Sequence, residues 1–272
     1  MKKQLSLTIL ALFLALTFSV GQTRETRNVG TFTKIAFRVP GKLYLRQGST
    51  QKVEIEGPKE LLKKIETEVD GSRLSIGKES SWTNWSWNND DKINVYITVQ
   101  NIEGLSVSGS GDLIGETKFT ATNLDLRVSG SGNLKLDVDA SGDIDADVSG
   151  SGNIDVKGKC KSFSSDVSGS GKVSLTMSIS GKADFEVSGS GRIMASGTAD
   201  NVNASISGSG KVLGSDLITN RCDVRISGSG DVEINTKDEL DVTISGSGSV
   251  RYKGDPKKVN SNSAGSGRVS KF

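Results

Sequence analysis

The sequence predicts an all-β protein, a two-sheeted parallel β-helix expected to be right-handed, preceded by a β-rich capping region. Three observations predict it. A Ser/Ala-Gly-Ser-Gly motif starts at Ser108, Ser129, Ser149, Ser168, Ser188, Ser207, Ser227, Ser245 and Ala264, with starts 18–21 residues apart. A period near twenty that barely drifts is the signature of a solenoid, in which each repeat is one turn and neighbours bury each other's apolar face. Between motifs the apolar positions recur every second residue, the strand period.

The third observation is the placement of glycine. Nine motifs with two glycines each hold 18 of the chain's 33. Inside regular strands, 18 glycines would cost on the order of 9–18 kcal/mol, as much as a domain's typical stability. They are tolerable where the chain must bend tightly with φ > 0. Gly-Ser-Gly is therefore the corner joining two strands of one turn. The turn glycines are Gly109, Gly111, Gly130, Gly132, Gly150, Gly152, Gly169, Gly171, Gly189, Gly191, Gly208, Gly210, Gly228, Gly230, Gly246 and Gly248. The serines flanking the first glycine of each motif should stack into ladders along that corner.

In chain order, residues 1–21 read as a signal peptide. Lys2 and Lys3 precede an apolar run from Leu5 to Phe18, and Ser19-Val20-Gly21 offers small residues for cleavage. The run is short for a membrane span, and no later segment of the mature chain is a candidate. No Cys follows it, so a lipid anchor is not indicated.

Residues 22–104 lack the repeat and read as the N-terminal capping segment. Strands are expected at Phe32–Phe37, Leu43–Leu45, Val53–Ile55, Leu74–Ile76 and Ile93–Val99. Pro58 opens a short helix over Lys59–Glu66, with Leu61, Leu62 and Ile65 on one face. An uncovered β-helix end exposes a row of unpaired backbone groups and invites association. At the other end only Pro256, Lys257, Lys258 and Lys271 discourage it, or that end joins another subunit.

Residues 105–272 are the repeat. In one turn Leu124, Leu126 and Val128 alternate with Asp125 and Arg127; after the corner Leu134, Leu136 and Val138 alternate with Lys135 and Asp137. Later turns repeat this with Ile144, Ala146 and Val148, and with Leu240, Val242 and Ile244. Such alternation suits strands with one face on a narrow core and one in water.

Composition narrows the chemistry. Removing residues 1–21 takes away two lysines and no acid, so 34 cations against 32 acids become 32 against 32. The signs are interspersed along the chain and no basic run appears, so no nucleic acid partner is expected. The chain has no histidine, which excludes Ser-His-Asp and Cys-His catalysis and His-ligated metals. Cys160 and Cys222 lie about three turns apart, roughly 14 Å at strand spacing, beyond the ~7 Å a disulfide allows. They read as small buried hydrophobes. The residue after each motif (Asp112, Asn133, Asn153, Lys172, Arg192, Lys211, Asp231, Ser249, Arg268) mixes acid, amide and base, so it is a solvated edge and not a metal ladder. No cofactor and no metal is expected.

The candidate contact residues lie in one segment, Ser81–Asp91, which holds all three tryptophans. Trp82, Trp85 and Trp87, with Asn84 and Asn88, suit sugar recognition or a protein hot spot, since rings stack on C–H faces and amides bind hydroxyls. The same tryptophans could instead cover the open end of the core. The carboxylate pairs Asp90-Asp91, Asp137/Asp139 and Asp145/Asp147 sit in outward alternation, where solvated side chains with no pocket are expected. No catalytic residue is assigned.

The repeat behind an export signal, with the stretch from Phe32 through Leu74-Ser75-Ile76, resembles the "putative auto-transporter adhesin, head GIN domain" family over roughly residues 30–268. The resemblance implies a β-helix related to the pectin-lyase type with the Gly-Ser-Gly as its tight turn. It also implies an envelope protein of Bacteroidetes-like bacteria and a trimeric assembly, and it carries no catalytic residues. The expected function is an exported, non-enzymatic adhesin at the cell surface or in the envelope, meeting a glycan or a cell-surface protein. The alternatives are a periplasmic carbohydrate-binding, sensory or scaffold module, and a pectin-lyase-like enzyme. Fold alone does not carry the last, and no turn from 108 to 264 has room for the long loops a catalytic groove needs.

Overall fold

The computed structural model describes residues 23–77 and 93–272. The expected signal peptide lies outside them. The chain opens with β1 (Thr23–Thr26), β2 (Lys34–Phe37), β3 (Lys42–Gln47) and β4 (Lys52–Gly57). Pro58, with φ −59, starts the single-turn helix α1 (Lys59–Leu62). The helix is shorter than the sequence suggests. From Glu66 the alternation Glu-Thr-Glu-Val-Asp has strand period, and these residues form β5 (Glu66–Asp70), antiparallel to β6 (Arg73–Gly77). The strand β7 (Asn94–Val99) follows.

From residue 104 each turn gives one strand to each of two ladders. The first four turns are β8 (Gly104–Gly109) with β9 (Asp112–Ala121), β10 (Leu124–Gly130) with β11 (Asn133–Ala140), β12 (Asp143–Gly150) with β13 (Asn153–Cys160), and β14 (Ser162–Gly169) with β15 (Lys172–Ile179). After β16 (Lys182–Gly189) come β17 (Arg192–Gly208), β18 (Lys211–Gly228) and β19 (Asp231–Gly246). These three long strands each run around the far corner, from the second ladder into the first. β20 (Ser249–Lys253), β21 (Lys258–Gly265) and β22 (Arg268–Lys271) finish the stack of about eight turns.

Every pairing in the repeat is parallel, one turn to the next. The parallel ladders also extend below residue 105. β2 lies between β6 and β8, and β3 lies between β7 and β9. The turn made by β6 and β7 therefore sits outside the turn made by β2 and β3, although it comes later in the chain. Beyond it the polarity changes: β5 runs antiparallel along β6, β4 along β7, and β1 along β4. The outermost parallel edges at this end are thus occupied.

The core is a set of columns between the two ladders. In the first ladder one inward column reads Leu124, Ile144, Phe163, Ala183, Val202, Cys222 and Leu240, and the next reads Leu126, Ala146, Ser165, Phe185, Ala204, Val224 and Val242. Large and small residues offset one another. Phe163 shares its turn with Ser165, and Phe185 shares its turn with Ala183. The two rings meet edge to face at 6.4 Å. Ser165 is buried, and its hydroxyl donates to Ala146 O at 2.9 Å, which removes the cost of a buried polar atom. Cys160 and Cys222 are free and buried.

The two corners of a turn are built differently. At the Gly-Ser-Gly corner, consecutive turns stack backbone on backbone. Ser151 N donates to Gly130 O at 2.8 Å and Asn153 N to Gly132 O at 3.0 Å. A Cβ on Gly150, which has φ 112, would lie 2.7 Å from that same Gly130 oxygen. A Cβ on Gly152 would lie 2.4 Å from Val128 Cγ1 and 2.5 Å from Gly132 O. The first glycine is required by its backbone conformation and the second by close approach. Register shifts interrupt the second ladder itself at Lys135/Asp137, Met194/Ser196 and Gly214/Ile218. The far corner varies in length and also shifts register, between Thr219 and Arg221. In the later turns buried threonines hold it: Thr219 Oγ1 lies 3.0 Å from Asp200 O, and Thr236 Oγ1 lies 3.1 Å from Asn220 O.

Candidate functional site

The inner columns and the corner glycines are committed to packing, which leaves the outer faces and the motif serines as the candidate surfaces among the described residues. The first serines of the motifs pair in register from Ser108 through Ser245. They form a hydroxyl ladder beside the corner. No motif serine side chain has a hydrogen-bond partner among the described residues. Packing explains the glycines of the motif and leaves its hydroxyls free for solvent or a ligand.

The column after the corner is ordered in blocks. Asn133 Nδ2 donates to Asp112 Oδ1 at 2.7 Å, and Asn153 Nδ2 to Asn133 Oδ1 at 2.7 Å. Lys172, Arg192 and Lys211 then stack in register. Lys211 reaches Asp231 at 2.7 Å, and Ser249 donates to the other oxygen of Asp231 at 2.6 Å. These two partners hold the Asp231 carboxyl below the usual range.

The outer faces of the two ladders differ in charge. In β12, β14 and β16 the outward positions carry Asp143, Asp145, Asp147, Asp166, Asp184 and Glu186 against Lys182 alone. On the opposite face of the same turns, β13, β15 and the Arg192–Thr198 stretch of β17 carry Lys157, Lys159, Lys172 and Arg192 against Asp155 alone, with Asp200 following at the far corner. That face also carries Ser174, Thr176, Ser178, Ser196 and Thr198, with Ser196 Oγ 3.1 Å from Thr176 Oγ1. Met194 stands among them, 42% exposed.

The carboxylate pairs are not equivalent. Burial, then the neighbouring Asp125 and Asp143, raises Asp145 above the ordinary carboxylate value. Asp147 is also raised by burial, against the pull of Arg127 and with the push of Asp125, Asp166 and Asp145. Crowding between carboxylates on adjacent rungs is a signal that alternation within one strand does not reveal. Asp139 goes the other way, because Lys118 bonds it at 2.9 Å.

At the N-terminal end Tyr44 and Tyr96 stack at 5.3 Å, and the Arg24 guanidinium lies over the Tyr96 ring, 4.0 Å from its centroid. On the first ladder a shallow groove lies beside β5, with Glu68 and Asp70 on one wall and Arg38 and Arg73 on the other. Trp82, Asn84, Trp85, Trp87, Asn88 and the Asp90-Asp91 pair lie outside the described residues. Among the described residues no cluster of three or more acids and thiols could hold a metal, and no helix is long and apolar enough to cross a membrane.

Comparison with known proteins agrees with this architecture. No curated protein matches the chain. A solved Parabacteroides distasonis structure described as a "putative lipid binding protein" shares the fold at TM-score 0.70 and 21% identity, over 93% of this chain and 97% of that one. A "putative adhesin" from Parabacteroides merdae does so at 0.70 and 22%, over 93% and 96%. A "putative adhesin" from P. distasonis does so at 0.69 and 20%, over 92% and 97%. The family described as "Putative auto-transporter adhesin, head GIN domain" matches residues 31–192 and 175–256, and the chain belongs to it.

Proposed function

We propose that this protein is an exported, non-enzymatic adhesin that binds through the outer faces of its β-solenoid. One observation carries the reading: in every turn packing dictates the inner columns and the glycines, while the outer-face residues change freely over two faces as long as the stack. Membership of an adhesin family supports it. The grooves beside β5 and around Asp166, Asp184 and Arg225 are open and polar-lined, and among the described residues no carboxylate or basic side chain is buried. A lipid would need an apolar cavity, whereas the interior here is filled by the packed columns.

The export reading rests on residues 1–21. It is tested by protease shaving of intact source cells with a periplasmic control. Loss of the chain with the control intact supports surface display. Full protection would move the protein to the periplasm, as a carbohydrate-binding or scaffold module. Trp85 and Trp87 are proposed as a further contact. Replacing both with Ala should reduce glycan binding while leaving far-UV dichroism unchanged. A trimer is proposed from the family resemblance and is read by light scattering.

A further inference from the structure

We infer that the outer face formed by β13, β15 and the first half of β17 is a binding surface for an anionic polysaccharide. The inference rests on the adhesin reading and adds the class of ligand to it. Lys172, Arg192 and Lys211 occupy adjacent rungs in register, about 4.8 Å apart. Like charges directly opposite one another destabilise a sheet. Lys211 is relieved by Asp231 at 2.7 Å. Lys172 and Arg192, and Lys157 four positions further along the same face, have no ion pair among the described residues. Three cations without a protein partner on one face are complementary to an anion supplied from outside.

The rest of the face selects among polyanions. No acid lies on the outward positions of β15 or of the Arg192–Thr198 stretch of β17; Asp155 on β13 and Asp200 at the far corner are the acids nearest the patch. Their hydroxyl rows match a ligand rich in hydroxyls, and Met194, 42% exposed, offers an apolar contact to the C–H face of a sugar ring. The cations are too widely spaced for duplex nucleic acid, which carries one charge per ~1.7 Å. A lipid surface requires several apolar side chains to insert, and this patch presents one. A polysaccharide, with its acid groups separated by whole sugar units, fits both the sparse charge and the hydroxyls. The opposite face, with its six carboxylates, would repel the same ligand and so orient the stack.

The test is titration of the protein lacking residues 1–21 with polygalacturonate, chondroitin sulfate and neutral dextran. The expected result is binding to one or both anionic polymers and not to dextran, weakening as salt rises. The double variant Lys172→Gln/Arg192→Gln should bind about tenfold more weakly, with a salt slope reduced by roughly 2. The variant Asp166→Asn/Glu186→Gln, on the opposite face, should keep or gain affinity. Unchanged affinity in the first variant overturns the inference. So does tighter binding to duplex DNA or to vesicles of phosphatidylglycerol than to either acidic polymer, or release of unsaturated sugars from polygalacturonate. If dextran or whole cells bind both variants equally, the adhesin reading stands and this surface is wrong. If neither the glycans nor whole cells bind, both fall.

Discussion

Three alanine substitutions at the Gly-Ser-Gly edge separate backbone strain from crowding. Gly109 has φ 91 and nothing within 4 Å of where its Cβ would sit, because the turn below it has a different corner. Gly152 has no positive φ, yet its Cβ would lie 2.4 Å from Val128 Cγ1 and 2.5 Å from Gly132 O. Gly150 combines φ 112 with a 2.7 Å approach to Gly130 O. A non-glycine residue in such a region costs ~1–3 kcal/mol. Alanine returns ~0.4–1 kcal/mol by restricting the unfolded chain. Overpacking costs ~1–3 kcal/mol. Gly109→Ala should then lose about 0.5–2 kcal/mol from strain alone. Gly152→Ala should lose a similar amount from crowding alone, at the upper end because Gly132 O is backbone. Gly150→Ala should lose about 2–5 kcal/mol. The assay is urea unfolding followed by far-UV dichroism, reading the midpoint at constant slope. If Gly150→Ala is no worse than Gly109→Ala, or Gly152→Ala is neutral, the account of the corner is wrong.

Three further outcomes are expected. Phe185→Ala should cost about 3–5 kcal/mol in the same assay, because its column neighbours Ser165 and Ala204 are too small to fill the void; a loss under ~1 kcal/mol would mean that the stack collapses to fill the void. Asp147→Asn should stabilise the protein at pH 7. The folded-state carboxyl is raised, so the native state holds the proton more tightly and the wild type loses stability as pH rises through that raised value. The advantage of the variant should fade as the pH falls below the ordinary carboxylate range, and a gain that persists there contradicts the sign. Burial pushes the Cys160 thiol up to about 12, with Asp143 adding to it, and burial raises Cys222 as well. Iodoacetamide at pH 8 should therefore label neither thiol in the native protein and both in urea, as read by intact mass. Rapid native labelling would place either one at the surface.

The repeat could be read directly because one constraint acts identically in every turn. Alternation marks the inward residues, and the glycine count points to the corner. The N-terminal region was less legible. Its strands show the same period, but nothing in Leu74-Ser75-Ile76 reveals that β6 stacks outside β2, since strand order depends on partners distant in sequence. Glu66–Asp70 was hidden by its charge and by the helix signal at Pro58. An edge strand has one solvated face and one free edge, so it tolerates acids that a central strand would not.

The segregation of charge was illegible for a different reason. A turn crosses from one sheet to the other about every ten residues, so the linear sequence deals out the two faces alternately. Asp145 and Asp147 are followed within about a dozen residues by Lys157 and Lys159, and the run reads as mixed charge with no net sign. Folding sorts it: Asp145 and Asp147 go to the face of Asp166 and Glu186, and Lys157 and Lys159 to the face of Lys172 and Arg192. Net charge near zero therefore says little about the partner of a two-sheeted solenoid. The informative quantity is the charge of every second strand, summed along the stack. On that measure the middle turns have an acidic side and a basic side, and a charged ligand meets the chain from one direction.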